Sequence, residues 1–382
     1  MQLEAALGLS LHHTKGSTRE TGAAWTRSLA IAERLEDTEY QLRALWGLWS
    51  HRMRSGDYRA ALAFAQRFRR LAAKQPGPAD VLIADRMIGT VLHYMGNQTN
   101  ARRYIERMLS RYVAPLHRSH AIRFMWDQRL AGDMVLAVIL WLQGFPDQAM
   151  RTARKTIESA QARDHTISLC YTLARAACPV ALWVGDLAAA ECYVSMLLDH
   201  SARLAMAIWQ ARGQCFKAVL LIKRGRVNTG LRLLRSALDE LCETGSVLCD
   251  SAFLCGLEGL ARAGQVAEGL AAVDEALARS ESNEERWCIA ELLRVKAEIT
   301  LSENAPGAVA AAEDHFRQAL DWARRQGALS WELRAATSLA RMWCGQGRSK
   351  EARALLGPVY DRFTEGFETA DLKDAKAVLD GL

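Results

Sequence analysis

Proline is scarce in this chain, seven in 382 residues, which argues against a collagenous or low-complexity polymer and leaves room for long uninterrupted helices. The nine cysteines are odd in number and contain no Cys-x-x-Cys pair. That excludes a zinc ribbon and a disulfide framework, and predicts buried, reduced thiols in a cytoplasmic protein. Long apolar runs are missing too. The longest, Met134 to Leu142, has nine residues, about half of the ~20 that a membrane crossing needs. Met1 to Leu11 has no basic lead and carries Glu4, so it does not read as a signal peptide. No GxxxxGK[ST] run is present, which removes the usual phosphate cradle of ATP hydrolysis.

What remains is half apolar and 24% charged, a globular composition filled with Ala, Leu, Arg, Glu and Gln that predicts an all-α fold. The net charge of +6 is uneven: residues 51–250 hold 28 basic and 16 acidic side chains, residues 251–382 hold 16 and 21. Arg outnumbers Lys 40 to 9. A helical-repeat RNA binder is the alternative this basic stretch raises, although nucleic-acid proteins concentrate charge more strongly.

A glycine recurs at Gly16, Gly56, Gly96, Gly144, Gly185, Gly225, Gly264, Gly307 and Gly347, in steps of 40, 40, 48, 41, 40, 39, 43 and 40. Five residues after each stand Thr21, Ala61, Ala101, Ala149, Ala190, Gly230, Gly269, Ala312 and Ala352. Four further on the residue is mostly larger and apolar, as in Trp25, Ile105, Leu234 and Phe316. A small residue one turn before a filler lets two helices cross closely and then plugs the groove beside them. A second break about twenty residues after each glycine, such as Glu36-Asp37-Thr38 or Gln326-Gly327, makes the unit a helical hairpin.

Such hairpins bury their apolar faces only by stacking. The expectation is one solenoid over residues 1–382, a right-handed and elongated superhelix of about nine hairpins. Local irregularities are expected at 75–78, at 114–120 and at Pro179, which should kink or break its helix. The eight extra residues before Gly144 are assigned to a long first helix beginning near Arg118.

Gly347-Arg348-Ser349-Lys350-Glu351-Ala352 and Gly56-Asp57-Tyr58-Arg59-Ala60-Ala61 resemble the core of the tetratricopeptide motif. More widely, Thr38 to Trp49 (TEYQLRALWGLW), Pro358-Val359-Tyr360 and Phe363 to Lys373 (FTEGFETADLK) resemble the C-terminal tetratricopeptide-like region of bacterial STAND-type signal-transduction ATPases. In that family the region follows a winged-helix or class III nucleotidyl cyclase domain and a P-loop ATPase. The resemblance implies a sensor or scaffold arm, with an ATPase, cyclase or winged-helix regulator module as protein partner. ATPase and cyclase activity do not carry over, since their motifs are missing. The first expected helix begins almost at Met1, which points to an arm split from its ATPase or to a stand-alone adaptor.

Catalytic candidates fail on spacing. Gly345-Gln346-Gly347-Arg348-Ser349-Lys350 lacks P-loop spacing and a preceding strand. His12-His13 and His117/His120 lack metal-ligand partners, and His315 reads as a surface ion-pair residue. The eleven tryptophans sit at unequal offsets from the glycines and read as core filler. No enzyme, cofactor or metal is expected. One pattern suggests binding: Arg43, Arg212, Arg294 and Arg334 stand thirteen residues before their glycines, and Arg86 and Arg175 ten before. In a tetratricopeptide superhelix such positions face the concave groove, where guanidinium groups would grip an acidic peptide.

Overall fold

The computed structural model describes residues 1–14, 16–76, 78–113, 124, 127–162, 166–204, 206–243, 251–303 and 305–382. Among these there are nineteen α-helices and no strand. The first turn of the superhelix comprises α1 (Gln2–Thr14), α2 (Arg19–Arg34), α3 (Thr38–Arg54), α4 (Tyr58–Ala72), α5 (Ala79–Tyr94) and α6 (Gln98–Arg111), followed by α7 (Gln128–Leu142), α8 (Pro146–Gln161), α9 (Thr166–Val184) and α10 (Leu187–Arg203). Then come α11 (Ala207–Lys223), α12 (Val227–Glu243), α13 (Ser251–Arg262) and α14 (Val266–Asn283). The chain ends with α15 (Ile289–Ser302), α16 (Ala308–Gln326), α17 (Leu329–Gly345), α18 (Ser349–Tyr360) and α19 (Ala370–Asp380). The described residues form an all-α solenoid of nine tetratricopeptide-like helix pairs and a closing helix.

Each pair is hinged on a recurring glycine. All nine have φ between 71° and 87°, the left-handed region that a residue without Cβ enters at little cost. The chain reversal is a Schellman turn: the Asp57 N–H donates to the Arg52 carbonyl (3.0 Å) and the Asp186 N–H to that of Ala181 (3.0 Å), which satisfies carbonyls the helix end would otherwise orphan. The same two aspartates then cap the next helix, accepting from Ala60 N and Ala189 N at 3.0 Å, a local interaction that stabilises by about 1 kcal/mol. Five positions on, Thr21, Ala61, Ala101, Ala149, Ala190, Gly230, Gly269, Ala312 and Ala352 are all buried, as are their partners one turn later. At Gly230 a Cβ would lie 2.8 Å from the Ala218 carbonyl oxygen.

The expected elongated rod is corrected by contacts between its two ends. The superhelix is tight, and its second turn rests on the first. Both the Arg286 and Trp287 N–H groups donate to the Tyr94 carbonyl (2.9 and 3.1 Å). Glu365 accepts from Gln148 N and Nε2 (2.8 and 3.1 Å), and Gly366 N donates to Asp147 (3.0 Å). Arg59 pairs with Glu284. Four tryptophans do not merely fill separate hairpins, because Trp141 and Trp183 of the first turn stack at 4.4 Å and meet Trp331 of the second edge-on at 4.7 and 6.0 Å. Trp331 Nε1 donates to the Trp287 carbonyl (3.2 Å).

Two local expectations also change. α7 begins at Gln128, where Asp127 caps it by accepting from Arg129 N and Leu130 N, so no single helix runs from Arg118 to Gln143. Residues 114–120, with His117 and His120, lie outside the described residues. Pro179 does not break α9: the helix widens into a π turn over Leu173–Ala177, closed by Cys178 N donating to Leu173 O. That extra residue relieves the clash between the proline ring and the carbonyl before it. Of 75–78, Gly77 is not described and Pro78 opens α5. Among the described helices α9 is long and apolar enough to cross a membrane, and 83% of that stretch is buried within the protein.

The seam gives a direct prediction. Gly366 (φ 79°) and Gly347 (φ 75°) share the same backbone strain, but a Cβ at Gly366 would sit 2.1 Å from Pro146 Cγ whereas Gly347 has nothing within 4 Å. Gly347→Ala should cost about 1–2 kcal/mol, and Gly366→Ala about 1–3 kcal/mol more from overpacking. Equal urea midpoints for the two variants would contradict the turn-on-turn contact.

Candidate functional site

The first helix of each pair faces the superhelix axis, so α3, α5, α7, α9 and α11 enclose a lumen. It forms a cavity of about 980 Å³, mouth included. α3 contributes Trp49, Met53 and Arg54; α5 contributes Arg86, His93 and Tyr94; α9 contributes Tyr171 and Arg175; and α11 contributes Ile208, Trp209 and Arg212. α7 supplies only Ala131, Met134, Val135 and Val138. Four guanidinium groups therefore line the space, and no Asp or Glu is among the described residues that do.

These cations are held under electrostatic stress. Arg86 is 2% exposed and Arg212 1%. Arg86 Nε donates to Gln128 Oε1 (2.9 Å), its plane lies 4.8 Å over the Trp49 ring, and Nη2 has no hydrogen-bond partner. Burial lowers its pKa to about 10. Burial also lowers Arg54 to about 10, opposed by Tyr171 and assisted by Arg175 and Arg212. No carboxylate stands among the groups acting on either. Both remain charged at neutral pH, and an uncompensated buried cation costs several kcal/mol. Arg175 sits in the π turn of α9 and donates from Nη1 to the Tyr94 hydroxyl (3.3 Å). His93 adds no charge: burial holds it at about 4, while its Nδ1 meets Gln98 Oε1 at 2.9 Å.

Farther along the same axis the arginines have partners. Arg294 pairs with Glu291 (2.8 Å), Glu298 (2.6 Å) and Glu258. Arg334 pairs with Glu291 (2.9 Å) and Asp371 (2.8 Å), and Arg341 with Asp374 (2.7 Å). Burial by itself would raise the Glu291 pKa, but Arg294 and Arg334 outweigh it and hold the carboxyl at about 2.

Of the six arginines marked in the sequence, the structure thus brings Arg86, Arg175 and Arg212 together. It places Arg294 and Arg334 in an ion network with Glu291, Glu258, Glu298 and Asp371 at the second-turn end of the axis. Arg43 lies over its own neighbour Tyr40 at 4.9 Å and lines neither region. Arg54 was missed because it stands two residues before Gly56, in register with none of the others. His315 is partly buried and its pKa is lowered by that burial and by Lys296. Among the described residues no three His, Cys, Asp or Glu side chains form a metal-binding group.

The fold and lumen define a tetratricopeptide-like helical-repeat protein. No protein-family model matches the chain, and no curated protein matches it. Two solved structures share its helical course. A Rap protein complexed with competence and sporulation factor is 10% identical over 92% of this chain and 99% of that one, with a TM-score of 0.46. Aspartyl phosphate phosphatase F from Bacillus subtilis is 11% identical over 95% and 94%, with a TM-score of 0.49.

Removing a partnered and an unpartnered cation should have opposite effects. Arg294→Met leaves buried Glu291 with Arg334 alone and takes the partner from Glu258 and Glu298, and should cost about 3–5 kcal/mol, whereas Arg54→Met should leave the urea midpoint unchanged or raise it. Acid sensitivity follows from His93. The unfolded histidine, with its pKa of about 6.5, binds a proton that the folded one refuses until about pH 4. Stability should therefore be full above pH 6.5 and decline toward pH 4 by up to about 3 kcal/mol. His93→Gln should flatten that part of the urea-midpoint profile. A further loss from Glu291, whose folded pKa is depressed, belongs between pH 4.5 and 2.

Proposed function

We propose that the chain is a non-catalytic regulatory solenoid of a cytoplasmic signalling system, which receives an acidic segment of a protein in its lumen. One observation carries this reading: Arg54 and Arg86 line the lumen with no carboxylate among the groups acting on them, whereas Arg294 and Arg334 farther along the axis are paired with Glu291 and its neighbours. Selection for stability alone favours removing such charges or pairing them. A positive, low-dielectric cavity also draws in negative partners.

The resemblance of residues 38–49 and 358–373 to STAND-type arms supports a context for it. In that setting the solenoid senses a ligand and restrains an ATPase, cyclase or winged-helix module. The 358–373 stretch seals the seam rather than the lumen: Phe363 and Gly366 lie against Gly144 and Pro146.

Calorimetry with a ten-residue Asp-Leu alternating peptide and its Asn-Leu counterpart tests the reading. The acidic peptide should bind the wild-type chain and lose roughly tenfold or more in affinity with Arg54→Glu, a difference of at least about 1.4 kcal/mol. Arg43→Glu, outside the lumen, should bind as wild type does. Equal binding of both peptides would remove the proposal, and salt-sensitive retention of single-stranded RNA in their place would assign the lumen to nucleic acid.

A further inference from the structure

We infer that the lumen takes one particular ligand chemistry: a carboxylate or phosphate joined within a few bonds to a flat or bulky apolar group. The inference rests on reading the lumen as a receiving site, and it adds the uncharged half of what is received.

The order of the walls carries it. Around the axis Arg54 and Arg86 come first, then α7, then Arg175 and Arg212. Between the two arginine pairs α7 presents Met134, Val135 and Val138. A ligand made only of charge would satisfy the guanidinium groups but strip water from this apolar wall without contacting it. A neutral ligand would cover the wall and leave Arg54 and Arg86, on which no carboxylate acts, uncompensated.

The aromatic groups add to the same requirement. The Arg86 Cζ lies 4.8 Å from the Trp49 ring centroid and its buried Nη2 has no hydrogen-bond partner, an unmet donor on a group that binds carboxylate or phosphate through paired N–H groups. Opposite, Tyr171 and Trp209 meet edge to face at 5.6 Å, a surface suited to a ring. The second-turn end of the axis, walled by Lys223, Glu258, Arg294, Asp371 and their neighbours, has no such apolar face, so the combination is specific to the first turn.

The chemistry has two sources, a free organic acid or the C-terminal aromatic residue of a peptide, whose carboxylate adjoins its ring. Calorimetry on the full chain separates them with phenyl phosphate, inorganic phosphate, benzyl alcohol, acetyl-Ala-Ala-Phe and its C-terminal amide. Phenyl phosphate, acetyl-Ala-Ala-Phe, or both should bind at least roughly tenfold tighter than inorganic phosphate, benzyl alcohol and the amide. Arg54→Gln should reduce that advantage, and so should Val135→Asn on the opposite wall, with far-ultraviolet circular dichroism confirming that each variant is folded. Binding of phenyl phosphate alone assigns the site to small acids, and binding of the peptide alone to protein C-termini. If benzyl alcohol or inorganic phosphate binds as tightly as the joined probes, the inference falls while the receiving lumen stands. The same holds if only the Asp-Leu peptide binds. If neither these probes nor that peptide binds, both readings fall.

Discussion

The fold depends on a backbone constraint, the left-handed glycine between the two helices of every pair. In the first turn this residue has a second duty. A Cβ on Gly56 would lie 2.7 Å from Asn283, on Gly144 2.6 Å from Leu329, and on Gly185 2.7 Å from Ala370. Beyond Gly225 the corresponding glycines at 264, 307 and 347 have nothing within 4 Å. One residue type thus serves conformation throughout and close approach only where the second turn sits down. Without that approach the seam hydrogen bonds at Tyr94 and Asp147 would be out of reach.

Closure also explains the electrostatics. A tight coil brings the inner faces of several helices within reach of one another, which concentrates like charges unless carboxylates are interleaved. The second turn interleaves them, with Glu291 shared between Arg294 and Arg334. Around the lumen Arg86 instead has the Trp49 ring, 4.8 Å from its Cζ. Rings screen a cation only weakly beside a carboxylate, so this end of the axis stays positive.

The helix pairs were legible because glycine, small residue and filler recur with a period that the chain itself imposes. The turn-on-turn seam was not, because it depends on superhelical pitch, which sums small rotations across several pairs and leaves no fixed spacing. Asn283 faces Gly56, and Glu365 faces Gln148, across more than two hundred residues. The lumen was half legible. Register placed Arg86, Arg175 and Arg212 on inner faces, but the same register included Arg294 and Arg334, and only the positions of Glu258, Glu291 and Asp371 in space distinguish the two groups. The widened turn at Leu173–Ala177 was hinted at by Pro179, although the outcome was accommodation and not a kink.

Tyr94 joins these two halves of the molecule in one side chain and its backbone. Its hydroxyl receives Arg175 from the lumen, its ring stacks on Tyr58 at 5.3 Å, and its carbonyl holds the Arg286 and Trp287 amides of the overlying turn. Any occupant that steadies Arg175 thereby steadies the latch between coils. By reciprocity, strain that prises the coils apart loosens the grip on the occupant to the same degree. A spring clasped at one tyrosine is in this sense also a gauge of what it contains.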